Sequence, residues 1–291
     1  MNGPDRLIQG MAGGGDFRII AAQTTETVET ARELLDLAPV AADALGRALT
    51  GSLLLARLLD KALKHQYVTL RFEGDGPLGV VIAEGTVAGH ARGYVANPVP
   101  TDATLDVPHA LGRGMLTVVR GVPPAGRPYT SQLQTTGTGI AQDITRYLHN
   151  SEQITSAVLL GVLNRRDGVA AAGGVVIQAF PHAAEEAIAA IEARIKEAPP
   201  LSTLIEKMPI EDVVATVLHG VDYKQIDPQF DVPLSYTCSC SRERALAPLA
   251  LFSDAELQEM MREELTEVVC QFCGRKYEFT SDDLLGLTKV N

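Results

Sequence analysis

A chain of 291 residues with 46% hydrophobic content and a mean hydropathy of +0.07 can bury a large core and still hold a second module. Its 36 acidic against 25 basic residues give a formal charge of −11, which argues against nucleic acid or an anionic membrane as the main partner, since both demand a basic face. No basic segment followed by an apolar core opens the chain at Met1–Arg6, so no signal peptide and a reducing, cytoplasmic compartment are expected, with cysteines held as thiols or metal ligands.

The Gly-rich stretch Gly10–Gly15 predicts a tight turn between two short strands, the second being Phe17–Ala22. A helix is predicted over Thr27–Leu37, ended by Pro39, and a longer one over Ala41–Leu63. In the latter, Leu45, Leu49, Leu53, Leu54 and Leu58 recur at helical spacing, and Gly46 and Gly51 leave room for a close neighbour. Its charges, from Asp43 to Lys61, are too many for a membrane span, so it reads as a core helix. Strands are predicted at Tyr67–Phe72, Val80–Ala83, Arg92–Val95 and Met115–Arg120. A short helix follows at Ala141–His149. Two more strands, Ala157–Leu163 and Val169–Ala179, flank the turn Arg165–Gly168.

Past Pro181 the pattern becomes helical. Ala183–Ala198 places Ile188, Ile191 and Ile195 on one face, Pro199-Pro200 breaks it, and shorter helices follow at Leu201–Lys207 and Glu211–His219. Isolated helices below about 12–15 residues are marginal in water, so these must lean on a neighbour. After Asp227-Pro228 and Pro233 comes a last module. In it, Ser253 and Glu256 form a capping-box pattern for a helix to Glu264, Lys276–Phe279 alternates like a hairpin arm, and Ser281 caps a final helix. The expected class is therefore α+β: a strand-dominated domain with covering helices over 1–180, a metastable helical linker over 181–232, and a small module over 233–291.

All four cysteines lie in that module, as Cys238-Ser239-Cys240 and Cys270-Gln271-Phe272-Cys273-Gly274, with 29 residues between the pairs. Zinc takes four soft ligands in a tetrahedron, and paired thiolates on tight turns supply them two at a time. The six histidines all precede the module, so the simplest site is one Zn²⁺ on Cys238, Cys240, Cys270 and Cys273. Such a site serves either as an architectural staple or as a redox switch. A C-x-C disulfide would close a small, strained and easily reduced ring, and thiolates are what oxidants attack. The module has few large apolar side chains, and structural zinc supplies on the order of 10–16 kcal/mol that doubles as folding energy, so losing the metal should unfold it.

Other motifs carry less. Gly74-Asp75-Gly76-Pro77-Leu78-Gly79 matches a dinucleotide fingerprint, but a strand run follows instead of a helix, so it reads as a β-turn. Gly13–Gly15 lacks the Lys and Ser/Thr of a phosphate loop, and no Ser/His/Asp signature is present, so no catalytic residue is expected and the chain does not read as an enzyme. A nucleic-acid-binding zinc ribbon is the alternative. It meets the wrong sign of charge, six Lys/Arg against ten Asp/Glu over 233–291. A thiol oxidoreductase using Cys270 and Cys273 leaves Cys238 and Cys240 unexplained.

The chain resembles the bacterial zinc-binding, redox-regulated heat-shock chaperones, the thirty-three-kilodalton heat-shock protein family, over essentially its whole length. The resemblance rests on Cys238–Arg244, on Cys270–Cys273 with Tyr277 and Phe279, and on Leu45–Arg47, Phe72–Pro77, Gly93–Pro98, Ser151–Gln153 and Ala172–Gly174. It implies an ATP-independent holdase whose reduced, zinc-bound monomer is inactive. Oxidation would then form disulfides Cys238–Cys240 and Cys270–Cys273, release zinc, unfold module and linker, expose apolar surface and produce a dimer. Unfolding client proteins and downstream ATP-dependent chaperones are the partners it implies.

Overall fold

The computed structural model describes residues 3–59, 65–102, 104–123, 126–226 and 231–288. Contacts divide the chain into two units, Met1–Thr237 and Cys238–Asn291.

The first unit is built from two antiparallel sheets and the helix between them. In sheet A, β1 (Arg6–Ala12), β2 (Phe17–Gln23), β8 (Ser156–Arg165) and β9 (Gly168–Ala179) run in the order β1-β2-β9-β8. Short strands β10 (Tyr223–Gln225) and β11 (Val232–Pro233) both pair with β1 at its outer edge. In sheet B, β3 (Tyr67–Gly74), β4 (Val80–Thr86), β5 (His90–Val95), β6 (Gly114–Gly121), β7 (Tyr129–Gln134) and β12 (Ser235–Tyr236) run β12-β5-β4-β3-β6-β7. The β12–β5 pair is parallel.

Helix α1 (Thr25–Leu35) leads into α2 (Pro39–Ala56), which packs on both sheets. This dictates its composition: Leu45, Leu49, Leu53 and Leu54 are inaccessible, and so are Ala41, Ala44 and Ala48 on other faces. A helix wrapped on nearly all sides keeps only a narrow polar edge, here the half-buried Asp43–Arg47 pair. The leucine stripe is thus core, and Gly51 is needed because a Cβ there would stand 2.5 Å from Ile144 Cδ1. Helix α3 (Val107–Leu111) and α4 (Ile140–Glu152) close the same core, with Tyr147 buried.

Sheet A is buried on both faces. Leu7, Ile20, Ala22 and Val176 face α2, while Ile8, Phe17, Ile19, Val175 and Ile177, one residue out of phase, form a second core on the far side. That second core is closed by α5 (Glu185–Glu197), α6 (Leu201–Lys207) and α7 (Ile210–Val217). These are the helices expected to need a neighbour. The first buries only Ile191, with Ile188 and Ile195 half-covered; α6 and α7 bury Leu201, Leu204, Ile205, Ile210, Val213, Val214 and Val217. Arg6 on β1 holds Glu211 on α7 at 2.7 and 2.9 Å.

Several boundaries differ from expectation. Pro39 does not end α1; it is the first residue of α2, where its fixed φ suits the helix start, and α1 stops at Asp36, left-handed at φ 49°. The second helix ends at Ala56, tightening into 3-10 bonds from Leu58 and Leu59, and residues 60–63 of its expected span lie outside the described residues, as do Asp227 and Pro228. The Gly74–Gly79 segment is the β3–β4 turn, with no helix after it.

The second unit holds α8 (Arg242–Leu246), a 3-10 turn Ala247–Leu251, α9 (Asp254–Met260), the hairpin β13 (Thr266–Val269) and β14 (Lys276–Phe279), and α10 (Ser281–Thr288). The Ser253–Glu256 capping box forms as expected. The ninth helix stops short of Glu264, where further carboxylates would sit against the negative end of the helix dipole. Thr280, not Ser281, caps α10: its hydroxyl accepts from Asp283 N at 3.4 Å, and Asp283 returns a bond from Thr280 N at 2.8 Å. Leu249, Leu257, Phe279 and Leu284 are the buried apolar side chains among the described residues of this unit.

Candidate metal centre

Two turns present the sulfurs. Cys238 and Cys240 lie in the loop between β12 and α8, and Cys270 and Cys273 in the turn joining β13 to β14. The second turn is fixed by its backbone: Cys270 N donates to Arg275 O at 2.9 Å, and Cys273 N and Gly274 N donate to Cys270 O at 3.3 and 2.8 Å. Gly274 is left-handed at φ 69°, the conformation that lets the chain fold back under the sulfurs. The first loop is held from α8. Ser241 caps that helix, and Arg244 donates to Ser239 O and Oγ at 2.8 and 2.7 Å. Arg242 lies over the Phe279 ring at 4.5 Å and donates to Glu278 O and Asp283 Oδ2, tying the loop to β14 and α10.

The four ligand atoms lie within 4.8 Å of one another. Two pairs reach across between the turns: Cys238 Sγ to Cys270 Sγ is 3.7 Å and Cys240 Sγ to Cys273 Sγ is 3.5 Å. Four sulfurs about 2.3 Å from one centre would stand about 3.8 Å apart in a tetrahedron, so the arrangement fits a small tetrahedral cation. All four cysteines are free thiols and none is fully buried. Among the described residues no histidine or carboxylate joins the group.

The electrostatics match a site built for a cation. Burial pushes the Cys238 thiol up to about 12, against the backbone hydrogen bond from Cys240, and burial likewise raises Cys273. Burial raises Cys240 too, but the hydrogen bond from Tyr277 and those from the other cysteines outweigh it and bring the thiol down to about 7. A divalent cation at the centre of the four sulfurs would favour the thiolate form.

Sequence reasoning located all four sulfurs but missed the groups around them. Tyr277 donates its hydroxyl to Cys240 Sγ at 3.0 Å. The signal was present in the alternation of Lys276–Phe279, which puts Tyr277 on the same hairpin face as buried Phe279. Arg242 and Arg244 carried no such signal, because their role depends on a five-residue helix too short to show a period.

Comparison with known proteins agrees with this geometry. The family described as Hsp33 protein matches residues 5–280. The chain belongs to the Hsp33 family. Among curated members, a 33 kDa chaperonin of Thermus thermophilus is 43% identical, covering 97% of this chain and 86% of its own. The 33 kDa chaperonin of Deinococcus radiodurans is 37% identical and covers 97% of each chain. The crystal structure of the 33 kDa chaperonin of Thermotoga maritima, described as a heat shock protein 33 homolog, superposes with a TM-score of 0.88 at 33% identity over 99% of this chain and 98% of that one. Membership supports a chaperone rather than an enzyme. No described helix is long and apolar enough to cross a membrane.

Proposed function

We propose that this chain is a redox-regulated, ATP-independent holdase of the cytoplasm, held inactive by one Zn²⁺ on Cys238, Cys240, Cys270 and Cys273. The observation that carries the reading is the convergence of four thiols, within 4.8 Å, in a unit with few buried apolar side chains. When bound, zinc supplies a four-way cross-link that substitutes for a core. Each cysteine pair, held as two thiolates, would give two electrons to one peroxide, which with two protons from solvent becomes two waters as the disulfide forms; the pairs are Cys238 with Cys240 and Cys270 with Cys273. Disulfide sulfurs no longer carry the thiolate charge that holds a cation, so the metal leaves and the unit loses its cross-link.

Sheet A supplies the consequence. The chain runs from α7 through β10, β11 and β12 to Cys238, and the last of these strands are two-residue pairings. Loss of order beyond Cys238 would free the C-terminal end of the segment covering the far face of sheet A, leaving it to the short ladders, the Arg6–Glu211 pair and the buried side chains of α6 and α7. Lifting α5–α7 would bare Ile8, Phe17, Ile19, Val175 and Ile177, an apolar surface for unfolding clients and for dimerisation. Clients would be held until reductant and ATP-dependent chaperones return.

A client-aggregation assay at heat-shock temperature, with and without peroxide, tests this. Protection only after oxidation, reversed by dithiothreitol, is expected. Equal protection in both states, or none in either, contradicts it.

A further inference from the structure

At the end of sheet A, past the last residues of β9, a cavity of about 490 Å³ opens between the α4–β8 connection and the start of α5. Its walls include Arg18, Ile154, Gln178, Phe180, Pro181 and Ile188. A smaller cavity of about 100 Å³ shares Arg18, Ile154 and Gln178. Arg18 on β2 and Gln178 on β9 are cross-strand partners in the ladder, so their side chains leave the sheet side by side.

Both side chains lack what they need. Arg18 is the one charged residue among the described residues lining the larger cavity. Among the described residues its guanidinium makes one hydrogen bond, 3.2 Å to the carbonyl of Arg57, and no carboxylate pairs with it. Its charged neighbour Arg57 has the same sign, and burial holds Arg18 below its ordinary pKa. Glu152, in the smaller cavity, is already engaged by Arg120 at 2.8 Å and by the Tyr147 hydroxyl at 2.6 Å. Gln178 is 7% exposed, and its Nε2 has no hydrogen-bond partner. A half-buried cation with no counter-charge among the described residues and a buried amide without an acceptor each carry a cost. One anionic acceptor between them would satisfy both.

The rest of the wall narrows the chemistry. A guanidinium and an amide offer donors for two oxygens and a single positive charge, which matches a carboxylate. A phosphate would bring a second charge, and among the described residues Arg18 is the single cation in the lining, which also holds Gln153 and Thr155. Ile154, Phe180, Pro181 and Ile188 offer apolar surface beside those donors. The geometry points to a binding site for an organic monocarboxylate with a short apolar tail, its carboxylate between Arg18 and Gln178 and its tail against Ile154, Phe180 and Ile188. Ile188 belongs to α5, so an occupant touches both sheet A and the helix that covers it. The site uses residues of the first unit alone and does not depend on the redox reading.

The test is calorimetric titration of the full-length, reduced, zinc-loaded chain with hexanoate, read alongside isoleucine-methyl NMR. Saturable one-to-one binding is expected, with shifts at Ile154 and Ile188. Arg18→Met and Gln178→Leu should each weaken binding at least tenfold, and hexan-1-ol and inorganic phosphate should bind at least tenfold more weakly than hexanoate. If Arg18→Met does not fold, Gln178→Leu and Arg18→Lys, which keeps the charge and should retain part of the affinity, decide the matter. No saturable binding, unchanged affinity in the folded variants, or shifts elsewhere with none at Ile154 and Ile188 would overturn the site. Hexan-1-ol or phosphate binding as tightly as hexanoate would overturn the ligand class.

Discussion

The two units solve the problem of staying folded in different ways. In Met1–Thr237 a largely buried helix lies between two sheets, and a second core backs one of them. In Cys238–Asn291 four buried apolar side chains serve the described residues, at about 1.5–3 kcal/mol each. Their sum is no larger than the about 10–16 kcal/mol a structural zinc provides. The first unit is stabilised by burial; on the function proposed above, the second would lean on a metal held by its sulfurs and so would answer to oxidant and chelator. A protein built this way can lose one part while keeping the other.

Metal removal should break the contrast most visibly. Chelation of the reduced chain, or Cys270→Ser, is expected to cost most of that about 10–16 kcal/mol and unfold residues 238–288. Limited proteolysis should then cut beyond Thr237 and within α5–α7, and leave α2 and the strands packed on it intact. A second unit that stays resistant to protease without metal would show that its small core suffices.

The two faces of sheet A sharpen the comparison inside the first unit. Leu49→Ala, on the α2 side, should lower stability by about 2–5 kcal/mol without raising holdase activity. Val214→Asp, on the α7 side, puts an uncompensated charge under a short helix. It should give protection in the aggregation assay with no oxidant, while the thermal transition of the α2 core persists.

Such a distinction was only partly legible in the sequence. Helical spacing of leucines marked α2 as core, and alternation or apolar β-branched runs between turns marked β2, β3, β4, β5, β6, β8 and β9. Leu7 and Ile8, or Val175 and Val176, carry no mark of which face each will meet, because both faces of sheet A are buried. Polar edge strand β7, and β10–β12 at two or three residues each, are too short or too hydrophilic for a pattern. At the sulfur site the four ligands were legible because cysteine spacing is itself chemistry. Tyr277, Arg242 and Arg244 were not read as part of it, because their role comes from a hairpin register and a short helix that exist only after folding.

A smaller effect concerns the joint between α1 and the strand leading to Cys238. Asp5 is 4% exposed; its Oδ2 accepts from Thr27 N at 2.6 Å, and its carbonyl accepts from Leu234 N at 3.1 Å. Burial raises its pKa to about 6 despite those bonds at Thr27. The folded state therefore holds a proton that the unfolded chain releases near pH 4. This contribution to stability is complete below that value and is lost as pH rises to about 6, up to about 3 kcal/mol. Asp5→Asn should flatten that slope in urea midpoints taken from pH 4 to 7; an unchanged difference curve would reject it. Smallest of all, Glu211→Gln removes the half-exposed pair with Arg6 and should shift the stability of α7 by no more than about 1 kcal/mol, read by hydrogen exchange.

The central claim is that oxidation at four sulfurs uncovers one face of one sheet. Hydrogen exchange followed by mass spectrometry, on the zinc-loaded reduced chain and the same chain after peroxide, tests it most directly. The account expects residues 238–288 and α5–α7 to lose protection together, while α2 and β3–β6 keep theirs. Protection of α5–α7 unchanged after both disulfides have formed would contradict it.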